Sequence, residues 1–385
     1  MKRNILIASA LAVLSGGIFT SCIGDGDDTI VLESGNKYDI PSDNLAEQNP
    51  NIYGDYTTNI PNVNYTIEKD GNDAIVRLDM TGIRESDSYD WLRLVGTAQE
   101  GQNIWVSVDD KPKGISVYNN SDDDQNEQRL LSDLVFVVDN SGSMGEESNA
   151  IARDIISFAN TLKDSHIDIR FACVGYDGDI NGALDFTDAE TLNGYLSRST
   201  GTSRTVGFYG NRATELQNKA SSYSTYGECG GAAIRYADAN LTFRTGSNRV
   251  YINFTDEPNQ PNGKEGYSVE SFKDQEMWDT NKGTVHTVFS ASPDEWNSTL
   301  YNEKPWLISE YTGGTTLFAP YDFEGVELTK LPVTGAMANS YVIRFTNIKE
   351  FMDGQVHRVK ITIRSKDGKT YAEKVFYINF GLPEA

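Results

Sequence analysis

Residues 131–138, Leu-Ser-Asp-Leu-Val-Phe-Val-Val, form a nearly continuous apolar run, as a strand buried on both faces requires. After a polar turn, Ile151, Ile155, Phe158, Ala159 and Leu162 recur at helical spacing and predict a single apolar stripe. The pattern returns to strand at 167–174, and Thr187-Asp-Ala-Glu190 reads as a capping box that opens another helix. A helix at 232–239 and strands at 250–254 and 284–289 follow. Pro305 then opens a helix that Gly313-Gly314 closes, and 315–318 is a last short strand. Such alternation predicts βαβ units, and hence an α/β, doubly wound, mostly parallel sheet over 131–324.

The flanks change period. Short runs at 65–67, 74–78, 91–95 and 104–108 precede this region, and runs at 341–345, 357–363 and 371–380 follow it, all in the apolar–polar alternation of half-buried strands. Turn signals at 69–73 and 110–114 separate the early runs, and 119–127 is an acidic linker. Three late strands are few for an independent fold. Pairing them with the early ones predicts a β-sandwich in two parts, 51–130 and 325–385, with the α/β region inserted or flanked. Two small separate β modules are the alternative. No internal repeat is visible.

Charge narrows the partners. The chain has 56 Asp and Glu against 33 Lys and Arg, a net charge of −23. That balance repels phosphate backbones and anionic headgroups, so nucleic acid is excluded as a partner and divalent cations are favoured. Beyond the N-terminus, no apolar run approaches the roughly 20 residues that span a bilayer. At the N-terminus, Lys2 and Arg3 precede an apolar stretch over 5–19 and then Thr20-Ser21-Cys22, which makes 1–21 a secretory signal. Ending at cysteine, it resembles a bacterial lipoprotein signal of the Bacteroidota type, although Phe19 stands where Leu is usual. The resemblance implies acylation of Cys22 and an outer-membrane, lipid-anchored, surface-exposed protein that meets the membrane through its anchor only. Asp25, Asp27 and Asp28 resemble the acidic export tag of such proteins, and 22–50 reads as an acidic flexible tether. Of the three cysteines, Cys173 and Cys229 are expected as free thiols rather than a clamp.

The strongest chemical signal lies at the carboxyl end of the first α/β strand, where ligands gather in such sheets. There Asp139-Asn-Ser141-Gly-Ser143 sets one carboxylate and two hydroxyls on a single tight turn, which suits a hard cation seeking oxygen ligands. Embedded in Val-Val-Asp-Asn-Ser-Gly-Ser-Met, it resembles the metal-ion-dependent adhesion site of von Willebrand factor A domains. Phe171–Tyr176 with Asp185-Phe-Thr-Asp188, Tyr251–Asp256, and Ser309–Thr315 are similar to further family segments, in the family's order. The resemblance implies Asp256 as a second acidic ligand, and Mg²⁺, or Mn²⁺ or Ca²⁺, as the ion. It also implies a protein or glycan partner whose acidic group completes the coordination, and flanks similar to integrin β hybrid domains. The family's third-loop ligand is usually Thr. Here the loop is Ser224-Thr-Tyr-Gly-Glu-Cys229, and both Thr225 and Glu228 remain candidates.

Several weaker signals complete the reading. Asp177, Asp179 and Asn181, with Asp185 and Asp188, partly match an EF-hand loop and make a candidate second calcium site, although a hairpin and a helix cap account for the same residues. Ser141-Gly-Ser143-Met-Gly145 imitates a nucleophile elbow, but a serine nucleophile needs a base, and His166, His286 and His357 are all placed away from it. No enzyme is expected. The 198–226 stretch exceeds what the core fold needs, and Tyr209, Tyr223 and Tyr226 are candidate partner contacts around the ion. The expected function is an adhesin-like surface binding module. The alternative is a structural subunit of an envelope or fimbrial assembly whose metal mainly stabilises.

Overall fold

Strands β1 (Val63–Asp70) and β2 (Asp73–Met80) form an antiparallel hairpin, and β3 (Ile104–Val108), β4 (Lys111–Lys113) and β5 (Ser116–Asn119) follow. The α/β region then runs β6 (Leu131–Asp139), α1 (Ser148–Lys163), β7 (Asp168–Tyr176), β8 (Ile180–Thr187), α2 (Ala189–Ser197), β9 (Gly207–Tyr209) and α3 (Ala213–Ala220). It continues through α4 (Gly230–Asn240), β10 (Asn248–Thr255), β11 (Thr284–Phe289), α5 (Pro305–Thr312) and β12 (Thr316–Phe318). Helix α6 (Pro332–Ala338) leads to β13 (Tyr341–Phe345), β14 (His357–Arg364) and β15 (Tyr371–Ile378). The computed structural model describes residues 38–382 except 59–60, 71–72, 87, 89, 121–130, 164–166, 291–302, 324–325 and 331. The signal segment, Cys22, most of the acidic linker and His166 lie outside the described residues.

The seven-stranded sheet has the order β12-β11-β10-β6-β7-β8-β9. Strands β12, β11, β10, β6 and β7 are mutually parallel, and β8 runs antiparallel to β7. Strand β6 alternates between two cores. Leu134, Phe136 and Val138 join the stripe of α1 (Ile151, Ile155, Phe158, Leu162) and α2. Val135 and Val137 face α3, α4 and α5 on the other side. The continuous apolar run therefore encodes burial on both faces. From β6 the chain moves first to β7 on one side and later to β10 on the other, so the strand order reverses between β6 and β10.

The flanking strands make two four-stranded sheets, β1-β2-β13-β5 and β15-β14-β3-β4. Each pairs early with late chain: β13 lies between β2 and β5, and β14 lies beside β3. Buried residues of both sheets, among them Val76, Leu78, Val106, Ile343, Ile361 and Phe376, form one apolar cluster. The α/β region meets the first sheet at its edge, where Asn281 Oδ1 accepts from the Tyr65 amide (2.9 Å) and Asn64 Nδ2 donates to the Gly246 carbonyl (3.0 Å).

Four local expectations change. The 91–95 run is not a strand: Arg84 and Trp91 make an isolated bridge, and side-chain amides replace ladder partners, Asn119 Oδ1 accepting from the Leu94 amide (2.9 Å) and Asn103 Oδ1 from Val95 (2.7 Å). The cap of α2 is Asp188, which accepts from the Thr191 amide (2.7 Å), one residue later than the predicted box. Within the expected tether, residues 38–50 are held against the sheets. Ile40 is buried, Asp43 pairs with Lys113, and Asn49 Nδ2 donates to Thr362 Oγ1 (3.0 Å). The 198–226 stretch is not a loose loop, because it contains β9 and α3, and Leu216 and Ala220 enter the second core.

At the amino ends of the parallel strands, Asp133 is fully buried between Arg170 (2.9 Å) and Arg244 (2.8 Å), and Arg244 also reaches Asp168 (2.7 Å). Hydrogen bonds from both arginines and the Arg244 amide outweigh the opposing effect of burial and hold the Asp133 carboxyl below its ordinary value. Removing the carboxylate leaves two partly buried cations facing each other. Asp133→Ala is expected to cost about 3 kcal/mol, read as a lowered urea midpoint with an unchanged slope.

Candidate metal centre

The reversal of strand order opens a crevice at the carboxyl ends of β6 and β10, and the acidic residues gather there. Asp139 closes β6 and is 1% exposed. Its Oδ1 accepts from the Ser141 amide (3.0 Å) and its Oδ2 from the Thr255 hydroxyl (2.9 Å), which fixes the carboxylate. Ser141 and Ser143, on the same turn, have their hydroxyls 3.0 Å apart, and Ser143 donates to Asp256 Oδ1 (3.2 Å). Asp256 follows β10 directly. The third loop brings Glu228. One carboxylate oxygen from each of Asp139, Glu228 and Asp256 lies within 4.8 Å of the others, and among the described residues no other group of His, Cys, Asp and Glu converges in this way.

Electrostatics make this arrangement costly without an ion. Burial above all, with the negative charge of Glu228, pushes the Asp139 carboxyl up to about 8 against the hydrogen bonds from Ser141 and Thr255. Burial, then Glu257, Asp256 and Asp177, push Glu228 up to about 7. Burial also raises Asp256 and Glu257. None of these carboxylates pairs with a Lys, Arg or His among the described residues. Two like charges about 5 Å apart repel by about 3 kcal/mol at an effective dielectric of about 20. Three carboxylates and two hydroxyls on separate loops, lacking a protein counter-charge, fit a divalent cation with oxygen ligands. Asp139, Ser141, Ser143, Glu228 and Asp256 are the residues that would hold it.

The two third-loop candidates part company. Thr225 is buried, and its hydroxyl donates to the Gly227 carbonyl (2.7 Å), so it stabilises the loop; Glu228 carries its carboxylate to the cluster. The candidate second calcium site is not assembled. Asn181 pairs with Asn140, Asp185 binds Arg212 (2.7 Å) and the Thr242 amide (2.9 Å), and Asp188 caps α2. Only Asp177 and Asp179 share the hairpin turn, where the Asp177 amide donates to the Asp179 carbonyl (3.0 Å). Strand β8 separates them from the other carboxylates.

The three tyrosines do not surround one point. Tyr223 packs on Tyr236 and Tyr267, and Tyr209 lies on β9 under Arg198 against Tyr195. Tyr226 alone stands at the rim, 89% exposed with φ of 56°. Thr255 and Glu257, which flank Asp256, escaped notice in the sequence. The polar run Thr-Asp-Glu directly after an apolar strand was the available signal. His286 is buried within β11 and accepts from the Thr315 amide (3.1 Å), and burial lowers it to about 4; His357 bonds Asp109 (2.7 Å) and Asp353 (3.0 Å) in the flanking sheet. Cys173 and Cys229 are separate buried thiols, each raised by burial to about 12.

No protein-family model and no curated protein matches the chain. Among solved structures it is similar to BatB of Bacteroides thetaiotaomicron, a conserved hypothetical protein, at 18% identity over 49% of this chain and 90% of that one, with a TM-score of 0.34. It is also similar to proximal thread matrix protein 1 of the mussel byssus, whose MIDAS motif holds zinc (12% identity, 60% and 50% of the two chains, TM-score 0.38). A third is manganese-loaded TRAP of Plasmodium vivax (12%, 71% and 99%, TM-score 0.31).

Two outcomes test the site. In EDTA, the folded protein retains protons on Asp139 and Glu228 that the unfolded chain releases near pH 4, so stability is expected to fall as pH rises from about 4 and to level off above about 8. Binding of Mg²⁺ requires the deprotonated carboxylates and should stabilise more at about pH 8.5 than at about pH 5.5; urea midpoints with and without the ion check both signs. Glu228→Gln should weaken metal binding at least about tenfold, whereas Thr225→Val should leave affinity near wild type while lowering the melting temperature, by calorimetry.

Proposed function

We propose that the chain is a von Willebrand factor A-type binding module. It holds a protein or glycan partner through a divalent cation at the carboxyl ends of β6 and β10. The observation that carries this reading is the convergence of Asp139, Glu228 and Asp256 with the hydroxyls of Ser141 and Ser143, in the order that the Asp-x-Ser-x-Ser turn implies. Mg²⁺ or Mn²⁺ suits the turn, and a third carboxylate, Glu228, makes Ca²⁺ a closer competitor. The bound cation supplies a Lewis-acidic coordination position for an acidic group on the partner. Asp139 and Asp256 supply the charge, the serine hydroxyls aim neutral oxygens, and Thr255 keeps the Asp139 carboxylate oriented.

The flanking sheets are proposed as one sandwich, hybrid-like, that presents the metal end. Among the described residues, their contacts with the α/β region include those of Asn64 with Gly246 and Tyr65 with Asn281, at the amino ends of β10 and β11 and so away from the metal end. No helix among the described residues is long and apolar enough to cross a membrane. The Cys22 signal in the sequence is what supports the proposal of a lipid-anchored outer-membrane protein exposed at the cell surface. The role proposed is non-enzymatic; of the described histidines, His286 bonds Thr315 and His357 bonds Asp109.

Pull-down from envelope and host-matrix extracts tests the reading, with wild type beside Asp139→Ala, each with Mg²⁺ and with EDTA. A partner retained by wild type only in Mg²⁺, and lost by the variant, is expected. Stable co-purification with envelope proteins despite EDTA would replace this reading with a structural subunit.

A further inference from the structure

Asn140 lies between two groups of the metal turn but points away from them. Its side chain forms a reciprocal amide pair with Asn181 on β8: Asn140 Nδ2 donates to Asn181 Oδ1 (2.8 Å), and Asn181 Nδ2 donates to Asn140 Oδ1 (2.8 Å). The second Nδ2 hydrogen reaches Thr205 Oγ1 (3.1 Å), and the Asn140 amide donates to the Tyr176 carbonyl (2.8 Å). Thr205 is itself fixed, its carbonyl accepting from the Tyr195 hydroxyl (2.9 Å). Every hydrogen-bonding group of the Asn140 side chain is therefore used, in a site that is 6% exposed.

The backbone is built to allow this contact. Gly175 and Gly182 face each other across β7 and β8. A Cβ on Gly182 would stand 1.8 Å from the Thr205 carbonyl oxygen; one on Gly175 would stand 2.4 Å from that oxygen and 2.7 Å from Asn140 Nδ2. Two absent side chains thus open the space in which Asn140, Asn181 and Thr205 meet.

We propose that Asn140 and Asn181 are positioning residues of the metal centre: their amide pair sets the aim of the Asp139–Ser143 turn and ties it to the β8 edge. The inference rests on the metal reading for its consequence but not for its geometry. Asp139 and Ser141 are the immediate chain neighbours of Asn140, so rotation of this peptide segment would misdirect both oxygens at once. Ligand supports of this kind typically change metal affinity by about 10- to 100-fold when removed.

The test uses Asn140→Ala, Asn181→Ala and the double variant in the otherwise complete protein. In EDTA, amide hydrogen exchange over 140–144 should quicken in Asn181→Ala although that residue is remote in sequence. By calorimetry with Mg²⁺, each single variant should bind about tenfold more weakly, and the double variant no more weakly than either single one. A purely structural role would lower the melting temperature and leave Mg²⁺ affinity at 25 °C unchanged. Exchange over 140–144 unchanged, or Mg²⁺ affinity within twofold of wild type in Asn181→Ala, overturns the proposal. Absence of Mg²⁺ binding by wild type overturns the metal reading instead, and the exchange measurement still decides whether the pair orders the turn.

Discussion

Three carboxylates share one crevice, and among the described residues no basic side chain pairs with them; much of the upper end of the sheet is arranged around that repulsion. At separations near 5 Å the three pairwise repulsions sum to ~10 kcal/mol at an effective dielectric of about 20, comparable with the whole stability of a typical domain. The folded chain meets this cost by keeping protons on Asp139 and Glu228, or by admitting a cation. Donors to the cluster include the Ser141 amide and the Thr255 and Ser143 hydroxyls. They orient the oxygens without neutralising them, which is what a site awaiting a cation needs.

That constraint is tolerable because the surrounding framework is stiff. Strand β6 is packed on both faces, so Asp139 sits at the end of an element with little freedom to relax. The opposite end of the same strand is held by the buried Asp133 between two arginines. Charge is thus handled in contrasting ways at the two ends of one strand. At the amino end the protein supplies the cations itself. At the carboxyl end, none of the described residues supplies one to the three carboxylates.

The flanking sheets carry the α/β region rather than shape its site. Early and late strands interleave in both sheets, which returns the chain to its starting side after the long excursion from 131 to 324. Asn281 meets the backbone of β1 much as a neighbouring strand does, accepting from the Tyr65 amide. It thereby covers part of an edge that would otherwise present unpaired donors and acceptors.

The sequence by itself determined the parts of this protein governed by local periodicity and local spacing. The double-sided burial of 131–138, the stripe of α1, and the one carboxylate and two hydroxyls on the Asp139 turn all follow from residues within a few positions of one another. The tertiary structure alone decided questions that depend on distant chain. Thr225 and Glu228 are equally placed in sequence, and only the packing of their loop turns one hydroxyl onto the Gly227 carbonyl and the other residue's carboxylate onto Asp139 and Asp256. The acidic run from Asp177 to Asp188 has metal-like spacing, yet β8 extends it and gives Asp185 to Arg212 and Asp188 to a helix end. The tyrosines of 198–226 separate for the same reason, since Tyr209 on β9 packs against Tyr195, Tyr223 packs on Tyr236 of α4 and on Tyr267, and Tyr226 is left outside. Spacing fixes which groups can share a turn, because a few residues span only a few ångströms. Convergence of groups from three loops depends on strand order, and that is set by the burial of whole elements.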